Sequence, residues 1–539
     1  HRWLPATTVR SAAASRGTGN RLPVAPTASF SPASISMDST PKSSWAAYPT
    51  SRRPASSTIT SAVLGERTRI RGGLSASAAE LWIGAATADI TPEPPVAQEG
   101  VNIATTIRDR CTANVLALES RQGERVLDQA VLVSCDLCIL PGVQEGFRQY
   151  LAARQPGFDI NKLSLAATHT HTSAMVLKSP YNDKDYGDAV QPKDYLPFLY
   201  QRMGDAVTKA WATRAAGAVA WGLGHAVVGH NRRVAYRDGT AKMHGNTNDP
   251  KFSHIEGYED HAVDILCFYD AQRRLKATAI TMACTAQAAG GPVISADFWH
   301  GVRELLHQRH GPELCVLGFV APAGDQTPRP QFRKEAESRM ERLRGLDHTQ
   351  EMARRIVAAF DDVAPLIAKD VRTEVPLVHL VRQVELPARI VTTAEYESAQ
   401  KICDEMDANK VKGHQEWYWR GYQGLIVERY LAQQQGQWKT FPIEMHVLRL
   451  GDVAIATNPF ELFLDYGVQI QARSAAPQTF LIELASPAGY AGYVPTPRAV
   501  QAGGYSAEVL VNMIGPEGGQ ALVERTLQAI DELFPKQPK

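Results

Sequence analysis

Two histidines one residue apart, in Ala167-Thr168-His169-Thr170-His171-Thr172-Ser173, are the part of this 539-residue chain best equipped for chemistry. They follow the apolar run Leu163–Ala167, which predicts a short buried strand running out into a loop. Extended residues at a spacing of two face the same way, so both imidazoles can converge on one ion or one substrate. Cys135 and Cys138 share a two-residue spacing that suits redox or metal chemistry, but no second such pair completes a structural zinc site. The expectation for them is packing as small buried hydrophobes. The stretch from Gly229 through His230, Asn231, Arg232 and Arg233 to His244, His254 and His261 is polar and dense in histidine. It predicts an irregular surface loop from which His230, Arg232, Arg233 and His261 reach substrate.

The chain that must hold these groups is 44% apolar, long enough for one large core or two ordinary ones. No stretch approaches the ~20 consecutive apolar residues of a membrane-spanning helix. Lys plus Arg (57) balance Asp plus Glu (56), so the general basic field of a nucleic-acid-binding protein is absent. Seven cysteines are an odd number and leave the compartment open. Residues 1–79, rich in Ser, Ala, Thr, Arg and Pro, predict a disordered leader. Arg52-Arg53 hints at twin-arginine export, although no apolar segment follows where one is needed.

Order is expected to begin near Leu81 and to run as a single domain over residues 80–539. Apolar strands at 130–135 and 262–269 alternate with helical stretches at 143–154, 195–214 and 298–309. Residues 335–368 and 393–435 read as charge-laced amphipathic helices with solvated faces, and the last third returns to strands before a helix over 517–534. The alternation predicts an α/β (mixed α+β) fold with mixed sheets flanked by helices.

Six short motifs then occur in one order: Asp89-Ile-Thr-Pro92, the His169-Thr-His171 stretch, Asn231-Arg232, Gly324-Asp-Gln-Thr-Pro328, Asn458-Pro-Phe-Glu461 and Gly489-Tyr-Ala-Gly-Tyr493. Together, over about residues 81–538, they resemble the catalytic domain of the neutral ceramidases, zinc-dependent amidases that release a fatty acid from sphingosine. The resemblance implies zinc held by two histidines, a glutamate and a tyrosine, of which the first histidine matches His169, the glutamate Glu461 and the tyrosine Tyr493, with Tyr490 competing for that place. It matches Arg232 and Tyr505 to groups that stabilise the oxyanion, and Thr327 to a serine at the reacting carbonyl, with Asp325 in the same turn grouped with the catalytic residues. His171 is the expected proton carrier, since an unperturbed imidazole titrates near neutrality. The implied substrate is a small-molecule or lipid-like N-acyl compound of sphingolipid metabolism. Secretion or a periplasmic location follows from the same likeness, and the family's C-terminal immunoglobulin-like domain is expected to be missing.

One ligand is lost from the pattern. The family's second histidine falls in a turn that reads Met282-Ala-Cys-Thr-Ala-Gln287 here. The expectation is that His300 replaces it, with Asp297 and Cys284 also within reach of a metal. The alternatives are a metal-dependent enzyme acting on a carbohydrate or its derivative, a binding protein that has lost the metal, and an amidohydrolase-type barrel.

Overall fold

The computed structural model describes residues 78–99, 102–154, 159–177, 186–409, 414–485 and 491–535, with the backbone alone for 414–419. The expected leader falls almost wholly outside these residues, and the first strand, Ala79–Asp89, starts two residues before Leu81. Two sheets form the centre. The larger has nine strands and runs in the order Cys315–Val320, Leu275–Met282, Ala262–Asp270, Ala215–His225, Ala79–Asp89, Thr112–Gln122, Arg125–Cys135 and Leu163–Ala167, with Glu374–Val375 on the start of Ala79–Asp89. Both of its end pairs are parallel and the pairs between them antiparallel. The smaller sheet joins Leu377–Pro387, Thr440–Leu450, Val453–Thr457 and Gln478–Ile482.

Side-chain alternation sorts each strand between two cores. In Thr112–Gln122, Leu116 and Leu118 enter a core shared with Leu448, Leu450, Val453, Ile455, Phe480 and Ile482 of the second sheet. Ala113, Val115 and Ala117 turn the other way, toward Phe147 and Leu199 of the helices Val143–Ala152 and Pro192–Ala212. In Ala262–Asp270, Leu266 and Phe268 face the second sheet. Val263, Ile265 and Cys267 pack on Trp299, Ile356 and Phe360 of Phe298–His310 and His348–Ile367. Ile443, Met445 and Val447 of the second sheet meet Leu522, Val523 and Ile530 of the closing helix Pro516–Leu533. The result is helix, sheet, sheet, helix in four layers, and the central strands Thr112–Gln122, Ala262–Asp270, Cys315–Val320 and Val453–Thr457 are buried on both faces because both are covered. No closed barrel forms among the described residues, which corrects the amidohydrolase-type reading.

Two expectations are sharpened. The region 335–368 is two helices, Lys334–Arg344 and His348–Ile367, broken where Gly345 takes a positive φ of 68° and Asp347 caps the next helix. The stretch expected to be an irregular loop is largely a small ribbon of Arg233–Tyr236 between Ala241–Met243 and Phe252–Ile255. Strands of three or four polar-rich residues carry too little alternation to be seen in the sequence.

Candidate metal centre and active site

The edge strand Leu163–Ala167 brings the histidines to the end of the large sheet, where the backbone keeps following its parallel neighbour: Thr168 N–H donates to Cys135 O (2.9 Å) and His169 N–H to Leu137 O (3.0 Å). His169 then departs from the extended geometry expected of it, with φ at 65°. A left-handed conformation costs a non-glycine residue on the order of 1–2 kcal/mol, and the surroundings hold it there. Thr170 and Thr172 hydroxyls both donate to Ser295 O (2.9 and 3.0 Å), and Ser173 Oγ donates to Thr170 O (3.0 Å). The imidazoles therefore converge through a pinned turn.

His169 is buried, at 3% exposure, and its Nδ1 lies 2.7 Å from Cys138 O. A carbonyl only accepts, so Nδ1 carries the proton and the Nε2 lone pair is left free. That atom lies 3.4 Å from His171 Nε2 and 3.5 Å from Glu461 Oε2. Each spacing is close to the edge, about 3.3 Å, of a tetrahedron with zinc–ligand bonds of ~2.0–2.1 Å. His171 lies at the exposed rim, yet burial of its ring nitrogens, then the nearby His169 and Arg232, lower its pKa to about 3 against the pull of Glu461. The shift runs opposite to what a proton carrier titrating near neutrality needs.

Glu461 and Tyr493 come from the second sheet's side. After Val453–Thr457, Phe460 N–H donates to Asn458 Oδ1 (3.1 Å), and the chain enters the short strand Glu461–Leu462. This strand pairs in parallel with Tyr493–Val494, with Glu461 beside Tyr493. Residues 32 apart in sequence are thus placed next to each other by backbone register. Gly324 allows the next layer in, for a Cβ there would lie 2.3 Å from Glu461 O. Glu461 Oε2 is buried and makes no hydrogen bond. Burial raises its pKa, but His169, Arg232 and Tyr493 outweigh burial and hold it below the ordinary value. The Tyr493 hydroxyl is pushed well up by burial and then by Glu461. Tyr490 lies outside the described residues.

Arg232 spans the floor of this group. Its Nη2 donates to Gly324 O (3.0 Å) and lies 3.5 Å from Tyr493 OH, its Nη1 lies 3.5 Å from Gln287 Oε1, and its buried Nε has no partner. Asn231 and His230 pair with Gln326 and Thr327, which sets Thr327, buried, on the neighbouring strand. Asp325 faces elsewhere: Asn231 Nδ2 donates to one of its oxygens (2.7 Å) and Leu464 N–H to the other (3.0 Å), so it ties the strands together. Arg233 is likewise structural, fully buried against Glu256 Oε2 (2.8 Å), Ser506 Oγ and Gly503 O. Tyr505, 49% exposed, sets its ring edge-on to Tyr493 with centroids 5.8 Å apart.

The three residues expected to replace the lost histidine sit away from this cluster. His300 is exposed on the helix Phe298–His310, where its charge opposes the burial that raises the Asp109 pKa. Asp297 caps that helix, its oxygens accepting from Phe298 N–H (2.7 Å) and Ala289 N–H (2.6 Å). Cys284 points its buried thiol at Val228 O (3.4 Å). The segment Met282–Gln287 nonetheless docks on the site, with Ala286 N–H donating to Thr168 O (3.2 Å) and Gln287 Nε2 lying 2.7 Å from His171 Nε2.

Sequence reasoning missed four neighbours. Cys138 Sγ lies 3.8 Å from His169 Nδ1, and Cys138, His169 and His171 offer ligand atoms all within 4.8 Å of one another. Its signal was the Cys-x-x-Cys spacing at the end of a strand; Cys135 packs as expected, against Met203 Sδ at 3.7 Å. Glu99, its pKa pushed up to about 7 by burial against the pull of His169, and the fully buried Glu483, pushed well up by burial, carried no local signal. Neither did Gln287.

No family model matches the chain, and no curated protein matches it by sequence. Solved structures do match. The neutral ceramidase from Pseudomonas aeruginosa superposes with a TM-score of 0.60 at 19% identity, over 86% of this chain and 76% of the other. A ceramidase complexed with C2 gives 0.61 at 18%, over 86% and 77%. The four-layer architecture with its site at the sheet ends is therefore a ceramidase-like fold.

Proposed function

We propose that the chain is a zinc-dependent hydrolase that cleaves an N-acyl amide bond with metal-activated water. One observation carries this beyond fold. The His169 Nε2 lone pair and the unpartnered, buried Glu461 Oε2 face each other at 3.5 Å while Nδ1 is committed to Cys138 O. An imidazole nitrogen and a carboxylate oxygen that converge in a buried site are satisfied by a proton or a metal ion between them, and the metal is the reading that also uses His171 and Tyr493. His169, His171, Glu461 and Tyr493 are the residues that would hold zinc. Bound there, zinc would lower the pKa of a water and polarise the substrate carbonyl.

The remaining roles belong to the chain's own groups. Arg232 is buried beside Tyr493 with an uncommitted Nε, a charge placed to stabilise an oxyanion. Tyr505 adds a hydroxyl from the exposed side, and Thr327 orients the reacting group. The substrate class follows the ceramidase-like neighbours: a lipid-like N-acyl compound. A polar headgroup is favoured by the polar, histidine-rich stretch around Arg232, in which His230 Nδ1 and His261 Nε2 sit 3.3 and 3.5 Å from the two oxygens of Glu259. The same polar stretch supports the second reading, an enzyme acting on a carbohydrate derivative.

The test is metal analysis of the purified chain together with fatty-acid release from a short-chain ceramide. Zinc and release together support the amidase. Zinc without cleavage of any N-acyl substrate moves the carbohydrate reading ahead, and a chain that binds no metal is a binding protein.

A further inference from the structure

The segment Met282-Ala-Cys-Thr-Ala-Gln287 has lost its histidine but not its place. Its backbone is bonded to Thr168, next to His169, and the Thr285 hydroxyl is buried without a partner. Gln287, half-buried, is the side chain of this segment that contacts the cluster: Nε2 is 2.7 Å from His171 Nε2, and Oε1 is 3.5 Å from Arg232 Nη1. A carboxamide can present either end, and which end faces His171 is set by what His171 needs. A neutral imidazole with a free Nε2 lone pair asks for the NH2 end. An imidazole whose lone pair is given to a metal does not.

We propose that Gln287 turns its amide oxygen to the metal as a fifth protein donor beside His169, His171, Glu461 and Tyr493, from the segment that lost its histidine at Thr285; the inference rests on the zinc reading above. The rotation breaks the 2.7 Å contact, which the metal replaces, and the 3.5 Å contact to Arg232, which is at the limit of a hydrogen bond. Cys138 is less suited, because its thiol lies at the Nδ1 edge of His169, the edge already used by its own carbonyl. His300 is exposed on another element. A neutral oxygen in place of an imidazole makes the site harder, so it holds zinc less tightly and accepts Mn2+ more readily than an imidazole site does.

Competition of Zn2+ with a chromogenic chelator, on the full chain, measures this directly. Gln287→Ala should weaken zinc at least about tenfold, the lower end of what even an outer-shell partner contributes. Gln287→Glu, which keeps an oxygen donor and adds charge, should bind as tightly as wild type or more so, while His300→Ala leaves the affinity unchanged. Co2+ spectra of the wild type and Gln287→Ala should differ, reporting a changed coordination shell. Equal affinity in wild type and Gln287→Ala overturns the inference and leaves the zinc reading standing. So does an equal loss in Gln287→Ala and Gln287→Glu, which would mark a packing role, or a loss confined to His300→Ala. A wild-type chain that binds no zinc overturns both.

Discussion

The two sides of the site are built by different means. On one, Glu461 and Tyr493 are fixed by a two-residue parallel ladder whose register leaves no freedom over which side chains meet. On the other, the Met282–Gln287 segment reaches the histidines through one backbone hydrogen bond and one long flexible side chain. A donor placed by register cannot be exchanged without rebuilding two strands. A donor at the tip of a loop side chain can be lost from one position and regained from another, and it is on this side that the motif departs from the ceramidase pattern.

This contrast predicts a ranking. Glu461→Gln, on the rigid side, should abolish both stoichiometric zinc and hydrolysis while the fold is retained, as read by metal content and circular dichroism. Retention of zinc would show that the ladder does not carry the metal. Arg232→Met should lower kcat by about 10²–10³-fold with zinc still bound, the size expected for losing one oxyanion donor. A change in KM alone would make Arg232 a binding group. Gly324→Ala should destabilise by about 1–3 kcal/mol in thermal unfolding, since its Cβ would meet Glu461 O at 2.3 Å and push the ladder aside. A neutral effect would mean that the ladder yields as easily as the loop.

The smallest effect concerns the joint between the two sheets. Arg148 pairs with Glu444 of the second sheet (2.8 Å) and donates to Leu163 O (2.9 Å) at the start of the histidine strand. His446 Nε2 also meets Glu444 (2.9 Å). Burial raises the Glu444 pKa, but His446 and Arg148 outweigh it and bring it down to about 2 from an ordinary 4.5. A carboxylate depressed in the folded state adds stability that is present above its unfolded pKa and is lost as pH falls through the folded one. The melting temperature should therefore decline between about pH 4.5 and 2, and less steeply in Glu444→Gln. An identical slope in the two proteins would remove Glu444 from the joint.

How much of this was legible depended on whether the information was local. The histidine pair behind an apolar run was, because both donors and the strand that carries them lie within nine residues. The central strands, such as Ala262–Asp270 and Val453–Thr457, were visible as apolar runs because the four layers cover both their faces. The pairing of Glu461 with Tyr493 spans 32 positions with no periodic pattern, and only the resemblance pointed to it. The left-handed turn at His169 was hidden, since its cause is the threonine bonds to Ser295, more than 120 residues away. Gln287 and Cys138 were hidden differently. Each is an ordinary residue whose meaning comes from a partner that the fold delivers, and His300 was preferred because histidine is the usual ligand, although its helix carries it elsewhere.

Fatty-acid release from a short-chain ceramide, before and after chelation of the purified chain and again after zinc is returned, tests the central claim most directly. The account predicts release that stops on chelation and recovers with zinc. Release that persists without metal, or a zinc-loaded chain that leaves every N-acyl substrate intact, would contradict it.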